Sequence, residues 1–122
     1  MATKTVLVVD DNELNRKLLE GMLQIVQVEM LSAEDGAAGV RLAQAHRPDL
    51  ILMDVQLPDM DGFEVMEEIR KDADLAAVPH YYLTGNITEG HRRRAETDGC
   101  LGIVQKPIAV GEFIATLKQA LA

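Results

Sequence analysis

Three features of the 122-residue sequence predict an α/β fold, a single domain (1–122) built as a (βα)5 doubly wound parallel sheet. Short aliphatic runs alternate five times with segments of helical length, the pattern of successive βα units. The runs are apolar at consecutive positions rather than at every second one, so both faces of each strand must be buried and helices must cover both sides of the sheet. Turn-forming residues cluster between these segments, as in "RPD" (47–49) and "LPDMDG" (57–62).

"TVLVV" (5–9) is the first strand and runs straight into Asp10 and Asp11. The helix after it places Leu14, Leu18, Met22 and Ile25 on one face, a stripe expected to pack into the core. "VEML" (28–31) is the second strand and "LILM" (50–53) the third, the latter followed by a helix with Phe63, Met66 and Ile69 facing inward. Pro79 opens a fourth strand at "YYL" (81–83), and "LGIV" (101–104) is the fifth, before a last helix with Phe113, Leu117 and Leu121 on its apolar face. The segment between Asn86 and Gly99, "NITEGHRRRAETDG", has only Ile87 and Ala95 as apolar positions and carries Gly90 inside it. It is expected to be the loosest element, with Arg92, Arg93 and Arg94 forming a solvated face.

Composition removes several function classes. Twenty acidic residues against 12 basic ones give a net charge of −8, which argues against a nucleic acid ligand held through its phosphates. The apolar run before Asp10 is too short for a signal peptide, and nothing approaches a membrane span. A lone cysteine, Cys100, can form no internal disulfide and fits a reducing, cytoplasmic setting, where it reads as a small apolar residue. His46, His80 and His91 lack metal-site spacing and read as structural or surface residues.

In an open parallel sheet, ligands bind beyond the carboxyl ends of the strands. At those ends the sequence puts Asp10 and Asp11, Asp54, Thr84, and Lys106 with Pro107. Two carboxylates roughly 4 Å apart repel by about 4 kcal/mol at an effective dielectric near 20, so adjacent aspartates call for a compensating charge. An oxygen-rich cluster without nitrogen or sulfur ligands suits a hard cation, Mg²⁺ (or Mn²⁺), which needs one or two carboxylates plus water and phosphate oxygens.

Taken together, "VVDDNELN", "DLILMDVQLPDMDG", "VPHYYLTG" and "VQKPIAVGEF" resemble, in order and spacing, the receiver domain of two-component response regulators, especially single-domain regulators and the receivers of hybrid kinases. The resemblance spans Lys4 to Ala122. It implies a flavodoxin-like strand order 2-1-3-4-5, Asp54 as phosphoacceptor, and a phosphoryl group arriving from a histidine kinase or a histidine phosphotransfer protein. It further implies Mg²⁺ held directly by Asp11 and Asp54 and by the backbone carbonyl of Gln56, with Asp10 acting through water. Lys106 and Thr84 would bind phosphoryl oxygens, and a cis Lys106–Pro107 bond would aim the lysine. Output would be a switch in protein–protein contacts with a downstream effector, in a chain that performs self-phosphorylation and autodephosphorylation but no other catalysis.

Other readings are weaker. A dehalogenase-type phosphatase needs an acid/base aspartate two residues after its nucleophile, where this chain has Gln56, and a flavin phosphate would be repelled by "DDNELN". A degenerate receiver that only binds protein typically lacks an acid or the lysine, and none is missing. The chain ends just after its last helix, so a stand-alone regulator and an excised hybrid-kinase receiver both fit. Two positions depart from the family pattern: Ile103 stands where an aromatic switch residue is usual, and Tyr82 where a small residue is common. Since Tyr82 and Thr84 point to the same side of their strand, Tyr82 is expected to carry the signal from Thr84 to residues 86–99.

Overall fold

A computed structural model describes residues 3–122, so the first two residues of the expected domain lie outside the described part. Five strands, β1 (Thr5–Val9), β2 (Glu29–Ala33), β3 (Leu50–Asp54), β4 (His80–Thr84) and β5 (Gly102–Gln105), form one parallel sheet in the order β2-β1-β3-β4-β5. Between and after them run α1 (Glu13–Ile25), α2 (Gly36–His46), α3 (Gly62–Arg70), α4 (Glu89–Asp98) and α5 (Val110–Ala120). Side chains alternate across the sheet. Leu7, Val9, Ile51, Met53 and Tyr82 face α2 and α3, with Phe63, Val65, Met66 and Ile69 against them. Val6, Val8, Leu50, Leu52 and Leu83 face α1 and α5, with Leu19, Met22, Leu23, Phe113 and Leu117. Each such large side chain taken fully out of water contributes roughly 1.5–3 kcal/mol, which is why both layers persist.

The expected fold class and strand order are the ones observed, and β3 is buried at all five positions. Boundaries move where polarity hid them. β2 lies at the sheet edge and pairs Thr5 with Glu29 through Val9 with Ala33, so it extends past the apolar run to include Ser32.

One expectation fails outright. Of the predicted α1 stripe only Met22 is buried, whereas Leu14, Leu18 and Ile25 are 76 %, 39 % and 61 % exposed. The inward face is instead Arg16, Leu19, Met22 and Leu23. Apolar residues occur in adjacent pairs here (18 and 19, 22 and 23), so periodicity supports two rotations of the helix. Arg16, a polar group at the head of the buried face, hides the true one.

Of the predicted last-helix stripe, Phe113 and Leu117 are buried and Leu121 packs partly against the same layer. α4 contains no buried residue, in keeping with the expectation that it is weakly packed. Its arginines are not equivalent, however. Arg94 is exposed like its neighbours but also stands 4.5 Å above the Phe63 ring and pairs with Asp61 (3.7 Å) and Glu67 (3.5 Å), so it adds a contact with α3 and its cap. His80 is buried, while His91 caps α4 and His46 is exposed.

Candidate functional site

Strand register brings the carboxyl ends of β1, β3, β4 and β5 to one rim, since Val9 pairs with Met53, Asp54 with Leu83 and Thr84 with Gln105. Asp10 follows β1 and is completely buried, its backbone N–H donating to Ala33 O and its Oδ1 accepting from the Asn12 backbone at 2.9 Å. Asn12 in turn caps α1 by accepting from the Asn15 N–H. Arg16 closes this turn by donating from Nη1 to the Asp10 carbonyl at 2.7 Å, while its Nη2 lies 3.5 Å from Glu34. Asp11 points to solvent. The two adjacent carboxylates thus differ in exposure, yet an oxygen of one lies within 4.8 Å of an oxygen of the other, so their repulsion is met by the nearby Lys106 ammonium rather than by separation.

Asp54 is 3 % exposed at the end of β3. Its Oδ1 accepts from the Gln56 N–H (3.0 Å) and its Oδ2 from Lys106 Nζ (2.8 Å). The following loop is closed by a bridge between Gln56 and Asp61, by Asp61 capping α3, and by Gly62, where a Cβ would sit 2.1 Å from the Asp54 carbonyl oxygen. Only glycine lets α3 start that close to the strand.

Lys106, half-buried beyond β5, reaches Asp54 and also comes within 3.0 Å of Asp10 Oδ2, though without hydrogen-bond alignment. Asp10 Oδ2 is thus a buried carboxylate oxygen with no hydrogen-bond donor. The Lys106–Pro107 peptide is cis. Burial opposes the Lys106 charge, but the hydrogen bond to Asp54 and attraction to both Asp54 and Asp10 outweigh it and raise the ammonium pKa. Burial raises the Asp54 carboxyl to about 6, with Asp10 repulsion adding to it and Lys106 and the Gln56 N–H opposing.

One carboxylate oxygen each from Asp10, Asp11 and Asp54 lies within 4.8 Å of the others, and Asp11 and Asp54, with Asn15, Gln56, Gly85 and Lys106, line an open cleft of about 500 Å³, Asp10 itself being completely buried. Thr84 is 2 % exposed on the same rim, but its hydroxyl is engaged with Asn86, accepting from the backbone N–H and donating to the backbone oxygen, both at 3.2 Å. The structure therefore brings together Asp10, Asp11, Asp54 and Lys106, places Gln56 at the edge through its N–H, and leaves the Thr84 hydroxyl directed at Asn86. Sequence reasoning passed over Arg16, whose only signal is its place at the head of a face that continues through Leu19 and Leu23.

The response regulator receiver domain family matches residues 6–118. The polar-differentiation response regulator DivK of Brucella ovis is 39 % identical over 119 residues, covering 98 % of this chain and 97 % of that protein, and DivK of Brucella anthropi is similarly 39 % identical over 118 residues. Among solved structures, chemotaxis protein CheY4 of Vibrio cholerae superimposes with a TM-score of 0.90 at 29 % identity, covering 98 % of this chain and 99 % of that one. The receiver domain of sensor histidine kinase PA1611 from Pseudomonas aeruginosa, solved with a magnesium ion coordinated in its active site cleft, gives 0.87 at 32 % identity and covers 98 % of each chain. No helix among the described residues is long and apolar enough to cross a membrane. With one sheet order, one acidic rim and full-length similarity in agreement, the chain belongs to the response regulator receiver domains, signalling modules that take up a phosphoryl group on an aspartate in two-component systems.

Proposed function

We propose that Asp54 is the phosphoacceptor, fed by the phosphohistidine of a histidine kinase or histidine phosphotransfer protein, and that the product switches binding to a downstream protein in the cytoplasm. The observation that carries this reading is the Lys106 ammonium set between two buried carboxylates, Asp54 at 2.8 Å and Asp10 at 3.0 Å, with Asp54 and Lys106 lining an open cleft. One ammonium serves both buried carboxylates, and Asp11 adds a third acid to the cluster, so negative charge at the rim exceeds the positive charge that meets it.

In the transfer, an Asp54 oxygen attacks phosphorus in line as the P–N bond breaks and its electron pair returns to the imidazole. Such a loose transition state is stabilised mainly by positioning and charge. Lys106 already touches the nucleophile and is placed to pair with a phosphoryl oxygen as Asp54 is consumed. The Thr84 hydroxyl would exchange Asn86 for a second phosphoryl oxygen.

The donor set fits Mg²⁺ (or Mn²⁺): three clustered carboxylates, no nitrogen or sulfur, and a buried oxygen without a donor. Asp11 and Asp54 would hold the ion directly with the Gln56 backbone carbonyl, and Asp10 through water. When bound, the ion neutralises charge shared by nucleophile and phosphoryl oxygens. Arg16 keeps the Asp10 carbonyl, and with it the acid pair, in position.

Incubation with acetyl phosphate and Mg²⁺ should add one phosphoryl mass to the intact protein and none to Asp54→Asn. Equal labelling of the variant would overturn the assignment.

A further inference from the structure

A second buried carboxylate lies outside the site. Asp98, the last residue of α4, has a side chain only 7 % exposed. It accepts from Arg70 of α3 (Nη2 to Oδ2 at 2.9 Å), from His80 Nε2 at 2.5 Å and from the Tyr82 hydroxyl, both on β4, while Arg70 also holds the Asp98 carbonyl at 2.8 Å. A negative side chain in the last turn of a helix opposes the helix dipole, so local helix energetics do not explain an aspartate there. Three donors from two other elements do.

The rest of α4 is held differently. Thr88 and His91 cap its first turn internally, Gly90 and Arg92 are exposed, and Arg94 lies 4.5 Å above the Phe63 ring and makes long, half-exposed ion pairs. Ala95 adds partial apolar contact, and the His91 ring lies 6.1 Å from that of Phe63. One end of the helix is therefore bonded to the sheet and the other rests on it.

We propose that Asp98 is the fixed pivot of α4, so that the response to phosphorylation is confined to residues 86–94 while the last turn stays bonded to β4 and α3. The proposal rests on the phosphoacceptor reading above. Tyr82 links the two: its ring packs on Phe63 at 4.2 Å, it shares a strand face with Thr84, and its hydroxyl ends on Asp98. Movement of the Thr84–Asn86 turn is transmitted to the free end of α4 and stopped at the bonded end.

Amide hydrogen exchange on the whole chain, with Mg²⁺ and with or without beryllofluoride, tests this in wild type, Asp98→Ala, Asp98→Asn and Tyr82→Phe. The last two retain the shape of the site should Asp98→Ala fail to fold. In wild type, beryllofluoride should change exchange at 86–94 and leave 96–100 unaltered. In the variants, exchange at 95–100 without beryllofluoride should rise about tenfold, and the beryllofluoride response should spread into that turn. A wild-type response that is absent from 86–94 or equally strong at 96–100, or variants that exchange like wild type, would overturn the pivot alone. If beryllofluoride produces no change that Asp54→Asn abolishes, the phosphoacceptor reading falls and the pivot with it.

Discussion

Asp54 and Asp98 are both buried carboxylates facing a cation, yet the protein treats them in opposite ways. Asp98 takes hydrogen bonds from Arg70, His80 and Tyr82, and these overcome the burial that would otherwise raise its carboxyl, leaving its pKa below the ordinary carboxylate value. Asp54 takes one N–H and one ammonium, shares that ammonium with Asp10, and its carboxyl rises to about 6 because burial dominates. A carboxylate supplied with enough donors is structural. One left short of donors is held ready for a ligand that completes it.

Deleting the satisfied member should cost most. Asp98→Ala strands Arg70 and the buried His80 and Tyr82 polar groups, and urea unfolding should show a loss of about 3 kcal/mol. Acid should find the same site. The folded pKa of Asp98 is depressed, so its contribution is present above the unfolded carboxylate value of about 3.9 and is lost as pH falls through the folded value. Below pH 4, wild-type stability should therefore fall more steeply than that of Asp98→Asn, by at most about 1.4 kcal/mol per pH unit for one group. The groups facing Asp98 in that titration are Arg70, His80, Tyr82 and Cys100.

At the rim, removing a carboxylate charge should have the opposite sign. Without Mg²⁺ at pH 7.5, Asp54→Asn relieves burial and Asp10 repulsion at the expense of one lysine contact, and should raise unfolding stability by about 1 kcal/mol. The Mg²⁺-dependent stabilisation of wild type should shrink in that variant, as a thermal melt with and without the ion will show. A destabilised Asp54→Asn would make the two carboxylates alike and remove the contrast. The smallest effect belongs to Asp11→Asn. Because Asp11 is exposed, its metal-free stability should change by less than about 0.5 kcal/mol, while titration calorimetry should record weaker Mg²⁺ binding.

What could be read from the sequence follows the range of the interactions involved. The βα alternation and the inward faces of α3 and α5 depend on residues a few positions apart, and Phe63, Met66, Ile69, Phe113 and Leu117 are buried as the period requires. Asp10, Asp54, Thr84 and Lys106 could be placed on one rim because strand ends in a parallel sheet share an edge and the spacing matches a family pattern. Period alone could not rotate α1, since its apolar residues come in neighbouring pairs; the folded packing buries Leu19, Met22 and Leu23 and brings Arg16 to the Asp10 carbonyl. Nor could it show that Asp10 is buried while Asp11 is exposed. Tyr82 was marked by its unusual size, but its partner was not. Asp98 lies 28, 18 and 16 residues from Arg70, His80 and Tyr82, and only the packing of α4 against β4 and α3 turns three scattered polar residues into donors for one buried charge.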